Sequence, residues 1–257
     1  MQIAGSRVLL TGASGGLGRA ITDALAANGA ELLLTGRNRE VLEGMPGQAL
    51  VADLSRREDV ESIVERAGRV DILVHNAGLP GSGRLETYSA EEIDRVLDVN
   101  LRAGIQLTRA LMPAMVERAN GHLVYISSMA GKIPVPRASL YSATKYGLRG
   151  FAGALRDDLH GTGVGVSVVF PGPIVDAGMQ ADSGVRTPNP KRYAKDVADA
   201  VVKGIEKDKP ELTVADPIQR AGELLAALTP SLAARARRLV GVDKIADRTA
   251  EAQKSKR

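Results

Sequence analysis

Cysteine is absent from the 257 residues, which removes a disulfide framework, a thiolate zinc site and a cysteine nucleophile together. Tryptophan is absent too, and aromatic residues make up 3% of the chain. Platforms for base stacking are therefore scarce, and no nucleic-acid partner is expected. No uninterrupted apolar run approaches the roughly 18 residues a membrane span needs. A strand-like run, Arg7-Val8-Leu9-Leu10-Thr11, begins too early for a cleavable signal peptide to precede it. The expectation is a soluble, cytoplasmic chain.

What is present fits one globular unit. Hydrophobic residues at 44% and charged residues at 25% are average for a folded domain. The net charge of +4 is unevenly placed, because residues 218–257 carry nine Lys/Arg against four Asp/Glu while the rest carry 25 against 26. The basic character belongs to the tail.

Short β-branched or leucine-rich runs alternate with longer segments of helical period, the pattern of repeated β-α units. Strands are expected near Val8–Leu10, Glu31–Thr35, Ala49–Ala52, Asp71–Val74, His122–Ile126, Val164–Phe170 and Glu211–Val214. Helices are expected over Gly16–Ala27, Arg56–Arg66, Ala90–Arg118, Tyr141–His160 and Tyr193–Lys207. The strands are apolar on both faces, as they must be when helices cover a parallel sheet on both sides. The fold class is α/β: a doubly wound, Rossmann-like parallel sheet of seven strands in one domain. The irregular stretch from Pro171 to about Arg192 reads as an active-site lid.

The first strand runs into Thr11-Gly12-Ala13-Ser14-Gly15-Gly16-Leu17-Gly18 and a helix follows. A glycine-rich turn there lets the backbone approach a pyrophosphate seated on the helix N-terminal amides. Ser14, Gly15 and Leu17 share that turn with Gly12, Gly16 and Gly18. The spacing T-G-x-x-x-G-x-G differs from the G-x-G-x-x-G of two-domain dehydrogenases and resembles the short-chain dehydrogenase/reductase family, in its single-domain branch. Further motifs follow in order. His75-Asn76-Ala77-Gly78 is similar to the family's N-N-A-G with His in place of the first Asn. Asn100 matches the helix asparagine, Tyr141-Ser142-Ala143-Thr144-Lys145 the Y-x-x-x-K signature, and Pro171-Gly172-Pro173-Ile174 the P-G motif. Ser128 stands thirteen residues before the Tyr. The match runs from about residue 5 to residue 215.

Tyr141 and Lys145 are four apart and share a helix face. A phenol near pKa 10 is protonated at neutral pH, and a neighbouring ammonium should lower that value and make it a usable proton carrier. The resemblance implies that Tyr141 exchanges a proton with the substrate oxygen while hydride moves to or from nicotinamide. It implies that Ser128 orients that oxygen, that Lys145 also grips the ribose, and that Asn100 holds a relay water. Asn100 could instead serve a helix kink or cap. Ser127 is the non-catalytic neighbour, since adjacent strand residues point to opposite faces. His75, His122 and His160 lack partners suggesting catalysis or metal binding. Asn76, Ala77 and Gly78 should line the adenosine side. Asp53 and Leu54 resemble the pair that contacts adenine, with Asp53 also a candidate helix cap. Pro171, Gly172 and Ile174 complete the cofactor set.

NAD-preferring relatives place an acidic residue where this chain has Gly36, and Arg37 follows with a guanidinium suited to a 2′-phosphate. NADP(H) is therefore favoured over NAD, with Arg39 a second cation or an ordinary solvated charge. Asp176 stands where the family places Thr and is expected to turn away from phosphates and to cap a short lid helix. Met129, Ile133, Pro134, Val135, Leu79, Pro80, Ile174 and Met179 form an expected apolar substrate wall. The function implied is hydride transfer between NADP(H) and a hydrophobic or neutral carbonyl/alcohol. The alternative is a catalytically weak dinucleotide sensor or scaffold using the basic tail; a sugar-nucleotide epimerase is disfavoured by the lack of a second nucleotide-binding domain. The resemblance also implies a homodimer or homotetramer formed through the long helices.

Residues 1–217 read as the catalytic domain and 218–257 as an extension. There Ile218, Ala221, Leu225, Leu228, Leu232, Ala236 and Leu239 recur at helical spacing, and Pro230 should divide two helical pieces. The helix packs on the domain or a partner copy, or lies on an anionic membrane surface. Residues 243–257 are expected to be frayed.

Overall fold

In the computed structural model, which describes residues 1–181, 184, 192–239 and 242–254, the strands form one parallel sheet. They are β1 (Arg7–Thr11), β2 (Glu31–Gly36), β3 (Gln48–Val51), β4 (Ile72–His75), β5 (Gly121–Ile126), β6 (Val164–Pro171) and β7 (Glu211–Val214). Their order is β3-β2-β1-β4-β5-β6-β7, the order the family resemblance implies. The chain reverses direction across the sheet between β1 and β4, which opens a crevice at the carboxyl ends of those strands.

The register explains why the strands are apolar throughout. Leu9 pairs with Leu33 on one side and Leu73 on the other, and Leu73 with Leu123, giving one buried face. Val8, Leu10, Leu34, Ile72, Val74, Val124 and Ile126 alternate onto the opposite face. Successive residues of a strand point to opposite sides, so both sets need a helical cover. The second face is covered by α1 (Gly16–Ala27) and α8 (Ala194–Lys207) through Ile21, Leu25, Val197 and Val201. The first is covered by α3 (Arg57–Ala67), α5 (Ala103–Glu117) and α6 (Ser139–Asp158) through Ile63, Leu107, Leu111 and Leu148.

Three local departures from the expected elements have physical causes. A short α2 (Arg39–Glu43) follows β2; it buries only Leu42 and is started by the Asn38 side chain accepting from Val41 N at 3.1 Å, too little period to read from sequence. The single helix expected over Ala90–Arg118 is broken into α4 (Ala90–Leu97) and α5 by a π-helical turn at Asp98–Arg102. The expected strand start at Asp71 is instead a buried anchor, its carboxylate accepting from Arg7 N at 3.1 Å and Arg69 Nε at 2.9 Å.

Beyond β7 the chain forms α9 (Pro217–Leu228), α10 (Pro230–Leu239) and α11 (Val242–Gln253). Pro230 divides the first two as expected, at the start of a helix where its missing N–H costs nothing. The expectation of fraying from residue 243 is corrected as far as Gln253: α11 is helical, Ala246 and Ala250 are buried, and Gln253 Nε2 donates to Met179 O at 3.0 Å. Much of the expected lid, at 182, 183 and 185–191, lies outside the described residues, as do the side chains of Ala236 and Leu239; α7 (Gly178–Ala181) is its helical start.

Candidate active site

A cleft of about 860 Å³ opens along the carboxyl ends of the strands. Its floor begins at the turn after β1. Gly12 has φ +67°, and a Cβ there would lie 2.8 Å from Ala77 Cα. Only glycine lets the β1 turn and the β4 loop approach so closely. Gly16, at the first position of α1, would drive a Cβ to within 2.8 Å of Ala177 Cβ. The glycines thus leave the amide end of α1 bordering a cradle in the cleft, the polarity a pyrophosphate requires. Ser14, Gly15, Leu17 and Gly18 border the same cradle.

Thr11, the last residue of β1, holds the cradle to the next loop. Its Oγ1 accepts from Asn76 N at 3.0 Å and from Ala77 N at 2.9 Å. Both lone pairs are then used, so its single proton goes to His75 Nδ1 at 3.2 Å. The His75 ring is consequently neutral with its proton on Nε2, beside the Asn100 backbone, and burial pulls its pKa down to about 3. His75 is a buried link between β1, β4 and the π-helical turn. Asn76 Nδ2 donates to the carbonyls of Thr11 and Gly12, both at 3.1 Å.

At the adenosine end, Gly36 faces Ser14 Oγ and Arg37 is exposed at the rim. The Asp53 carboxylate accepts from Ser55 N at 3.0 Å and Ser55 Oγ at 2.8 Å, and lies 3.6 Å from Arg95 Nη2. It does not cap α3, whose N-cap is Arg56. Asp53 and Leu54 line the cleft here and Asn76 and Ala77 line it beside Gly12, whereas Gly78 lies at the other end, its Cβ position 3.6 Å from Lys145 Nζ, so the placement expected of Gly78 is not met. Arg39 is tied to Glu43 at 3.2 Å along α2, so of these two arginines Arg37 is the one that lines the cleft. Arg95 also lines it; a helix arginine far from any motif left no mark in the sequence.

At the other end, Ser128, Tyr141 and Lys145 meet on one wall. Ser128 leaves β5 in extended backbone and starts a 3-10 turn by accepting from Ala130 N at 3.1 Å. Ser127 points the other way and donates to Lys145 O at 2.9 Å, pinning α6 to the sheet. Lys145 is buried at 3% exposure, its Nζ donating to Ile126 O at 2.9 Å and lying 5.5 Å from the centre of the Tyr141 ring. Burial pulls the Lys145 pKa down to about 8 and pushes the half-buried Tyr141 phenol up to about 12, with the Ser128 hydroxyl opposing the latter shift. Desolvation thus outweighs the acidification of Tyr141 expected from Lys145. The ammonium is engaged by a backbone carbonyl, and desolvation governs both groups.

Asn100 sits behind this wall in the π-helical turn. Its Oδ1 accepts from Leu79 N at 2.6 Å, while Nδ2 donates to Leu79 O at 2.9 Å and Thr144 Oγ1 at 3.3 Å. One amide clamps the β4 loop to α6, one residue from Lys145. Both Asn100 Oδ1 and Lys145 Nζ lie 3.6 Å from the Cβ position of Gly78.

The apolar wall forms as expected from Met129, Ile133, Pro134, Val135, Leu79, Ile174 and Met179, but Pro80 is buried and outside it. Asp176 turns away from the cleft and accepts from Ala194 N at 2.8 Å, so it serves the start of α8 rather than the lid helix. The extension adds a wall that sequence reasoning missed: Ile218, Gly222, Leu225, Ala233, Thr249 and Gln253. Lys132 fastens it. This buried cation reaches Glu211 at 2.9 Å, Glu223 at 2.8 Å and Thr213 Oγ1 at 3.0 Å, and lies 4.2 Å from the Phe170 ring centre. Of the other histidines, His122 has a partner the sequence did not reveal, Ser167 Oγ at 2.8 Å, and stands at the start of β5, remote from the cleft.

This fold and site define a class: residues 6–186 match the family model for short chain dehydrogenase. The chain belongs to the short-chain dehydrogenase/reductase family. It is 38% identical over 227 residues to the ketoacyl reductase HetN of Nostoc sp., covering 82% of this chain and 79% of that one. A short chain dehydrogenase from Burkholderia cenocepacia, solved in complex with NADP, superposes with a TM-score of 0.79 at 29% identity, covering 91% of this chain and 98% of its own. A Sphingobium yanoikuyae short-chain dehydrogenase in complex with NADPH gives 0.75 at 28% identity over 92% and 95%.

Proposed function

We propose that this protein is a cytoplasmic NADP(H)-dependent oxidoreductase that interconverts a hydrophobic or neutral carbonyl compound and its alcohol. The observation that carries the reading is one cleft with a glycine-rich cradle at the amide end of α1 and Ser128, Tyr141 and Lys145 on another wall. The cradle fits a dinucleotide pyrophosphate. The turn from Gly12 to Gly18 would hold it, Asp53, Leu54, Asn76 and Ala77 would line the adenosine, Gly78 would border the nicotinamide end beside Lys145, and Arg37 would pair with a 2′-phosphate. Pro171, Gly172 and Ile174 would border the nicotinamide end. Nicotinamide, when bound, supplies or accepts the hydride.

The protein's part is proton and charge. A phenol held near 12 stays protonated at neutral pH and can donate to a carbonyl oxygen as negative charge develops there. The Ser128 hydroxyl orients the same oxygen. Lys145, held near 8, is cationic at pH 7 and stabilises the phenolate left behind. Asn100 fixes the loop and helix that carry these groups. The bound NADP and NADPH of the two structural neighbours and the reductase name of the Nostoc relative support the assignment. Residues 1–217 would form the catalytic domain and 218–257 its substrate-covering extension, in a homodimer or homotetramer.

A panel of apolar ketones, aldehydes and their alcohols, followed by nicotinamide absorbance, tests the reading. At least one apolar carbonyl should oxidise NADPH faster than NADH. No turnover across the panel in either direction, with NADPH bound, would leave only the nucleotide-binding shell.

A further inference from the structure

Helix α9 is built inside out. Its inner arc carries Gln219, Gly222, Glu223 and Ala226, all half-buried. Gln219 accepts from Asp216 N at 3.3 Å, and Glu223 takes the buried Lys132. The outer arc carries Ile218 at 84% exposure, Leu224 at 62% and Leu228 at 73%, with Leu225 and then Leu232 of α10 beside them. No residue of α9 is buried. A scattered exposed leucine needs no explanation, but a contiguous leucine crest on a helix whose polar side faces the protein marks a contact with an apolar phase.

We infer that α9 and α10 dock this protein on an anionic lipid bilayer, with the crest in the interfacial region and the cleft mouth facing the membrane. Two features favour a lipid surface over a second copy of the chain. The segment from 218 to 257 carries nine Lys/Arg against four Asp/Glu, while the remainder carries 25 against 26, so the excess positive charge lies in the segment that bears the crest. Arg220, Arg235 and Arg248 are exposed on its three helices, and such cations are attracted to anionic headgroups. Ile218 and Leu225 also belong both to the crest and to the cleft wall. An occupant of the crest therefore lies across the entrance: a second copy would close it, whereas a bilayer offers dissolved apolar compounds directly to it. Delivery of an apolar carbonyl this way rests on the reductase reading above; the docking itself does not.

Co-sedimentation of the full-length protein with vesicles separates the two, because it needs no turnover. The protein should pellet with phosphatidylcholine/phosphatidylglycerol vesicles and stay in solution with phosphatidylcholine alone, and high salt should weaken the pelleting. Leu224→Glu with Leu228→Glu, both outside the cleft lining, should lower partitioning to anionic vesicles roughly tenfold or more, with thermal unfolding and NADPH binding unchanged. Equal recovery in the supernatant with both lipid compositions overturns the proposal. So does a double variant that pellets like the wild type, or one whose only change is a fall in solution mass, which would assign the crest to a second copy.

Discussion

Lys145→Met should make the cofactor-free protein more stable at neutral pH, although it removes a residue of the proposed catalytic machinery. Burial lowers the Lys145 pKa from 10.5 to about 8, so a charged ammonium at pH 7 costs the folded state about 3 kcal/mol relative to the unfolded chain. Methionine is similar in length and carries no charge. It loses the bond to Ile126 O, 2.9 Å in the wild type, at about 1 kcal/mol. The net gain is about 2 kcal/mol, which in a chain of this size raises Tm by roughly 4–8 °C. The sign with pH follows from proton binding. Between about 8 and 10.5 the folded wild type has lost its proton while the unfolded chain still holds it, so wild-type stability rises with pH through that window. The advantage of the variant should therefore shrink towards zero near pH ~9.5. Thermal unfolding of both proteins at pH ~7 and ~9.5 without dinucleotide measures this. A variant less stable at pH ~7, or a Tm difference unchanged between the two pH values, would refute the claim that the charge is held at a cost.

Further outcomes follow from the same geometry. Arg37→Ala should lower the preference for NADPH over NADH by roughly 10- to 100-fold, read from the two dissociation constants; an unchanged ratio would remove the 2′-phosphate role. Lys132→Met should lower stability by about 2 kcal/mol, since it releases Glu211 and Glu223 from a shared cation. It should also raise KM for apolar substrates more than it lowers kcat, because α9 loses its tie to the loop after Ser128; the reverse split would place Lys132 in the chemistry. With wild-type enzyme, kcat for carbonyl reduction should fall as pH rises through about 8, where Lys145 loses its charge. A flat profile to pH ~10 would contradict that assignment.

The sheet and the motif residues of the cleft were legible because each rests on a local rule. Strands with two buried faces read as continuous apolar runs, a glycine turn at the end of β1 reads as a close backbone approach, and Tyr141 and Lys145 share a face by spacing alone. What stayed hidden depends on partners distant in sequence. The π-helical turn exists because Asn100 reaches Leu79, and no propensity reports that. Nor does periodicity say which way a stripe points. The spacing of Ile218, Leu225, Leu228 and Leu232 identifies a helix with an apolar arc, but the ion pair of buried Lys132 with Glu223 turns that arc outward. The helical state of α11 was missed for a related reason, since among the described side chains its buried ones are two alanines and one glutamine, which carry little hydrophobic signal. Tyr141 and Lys145 show a further limit: their spacing was legible, but the desolvation that sets their pKa values depends on the folded surroundings.

The most direct measurement is a single turnover of NADPH with an active carbonyl substrate by wild type and Tyr141→Phe. The phenylalanine ring keeps the shape of the wall and removes only the hydroxyl group. NADPH binding, followed by its fluorescence, should be unchanged within about twofold, and the hydride-transfer rate should fall by roughly 10²–10⁴. A variant that consumes NADPH at the wild-type rate would contradict the account.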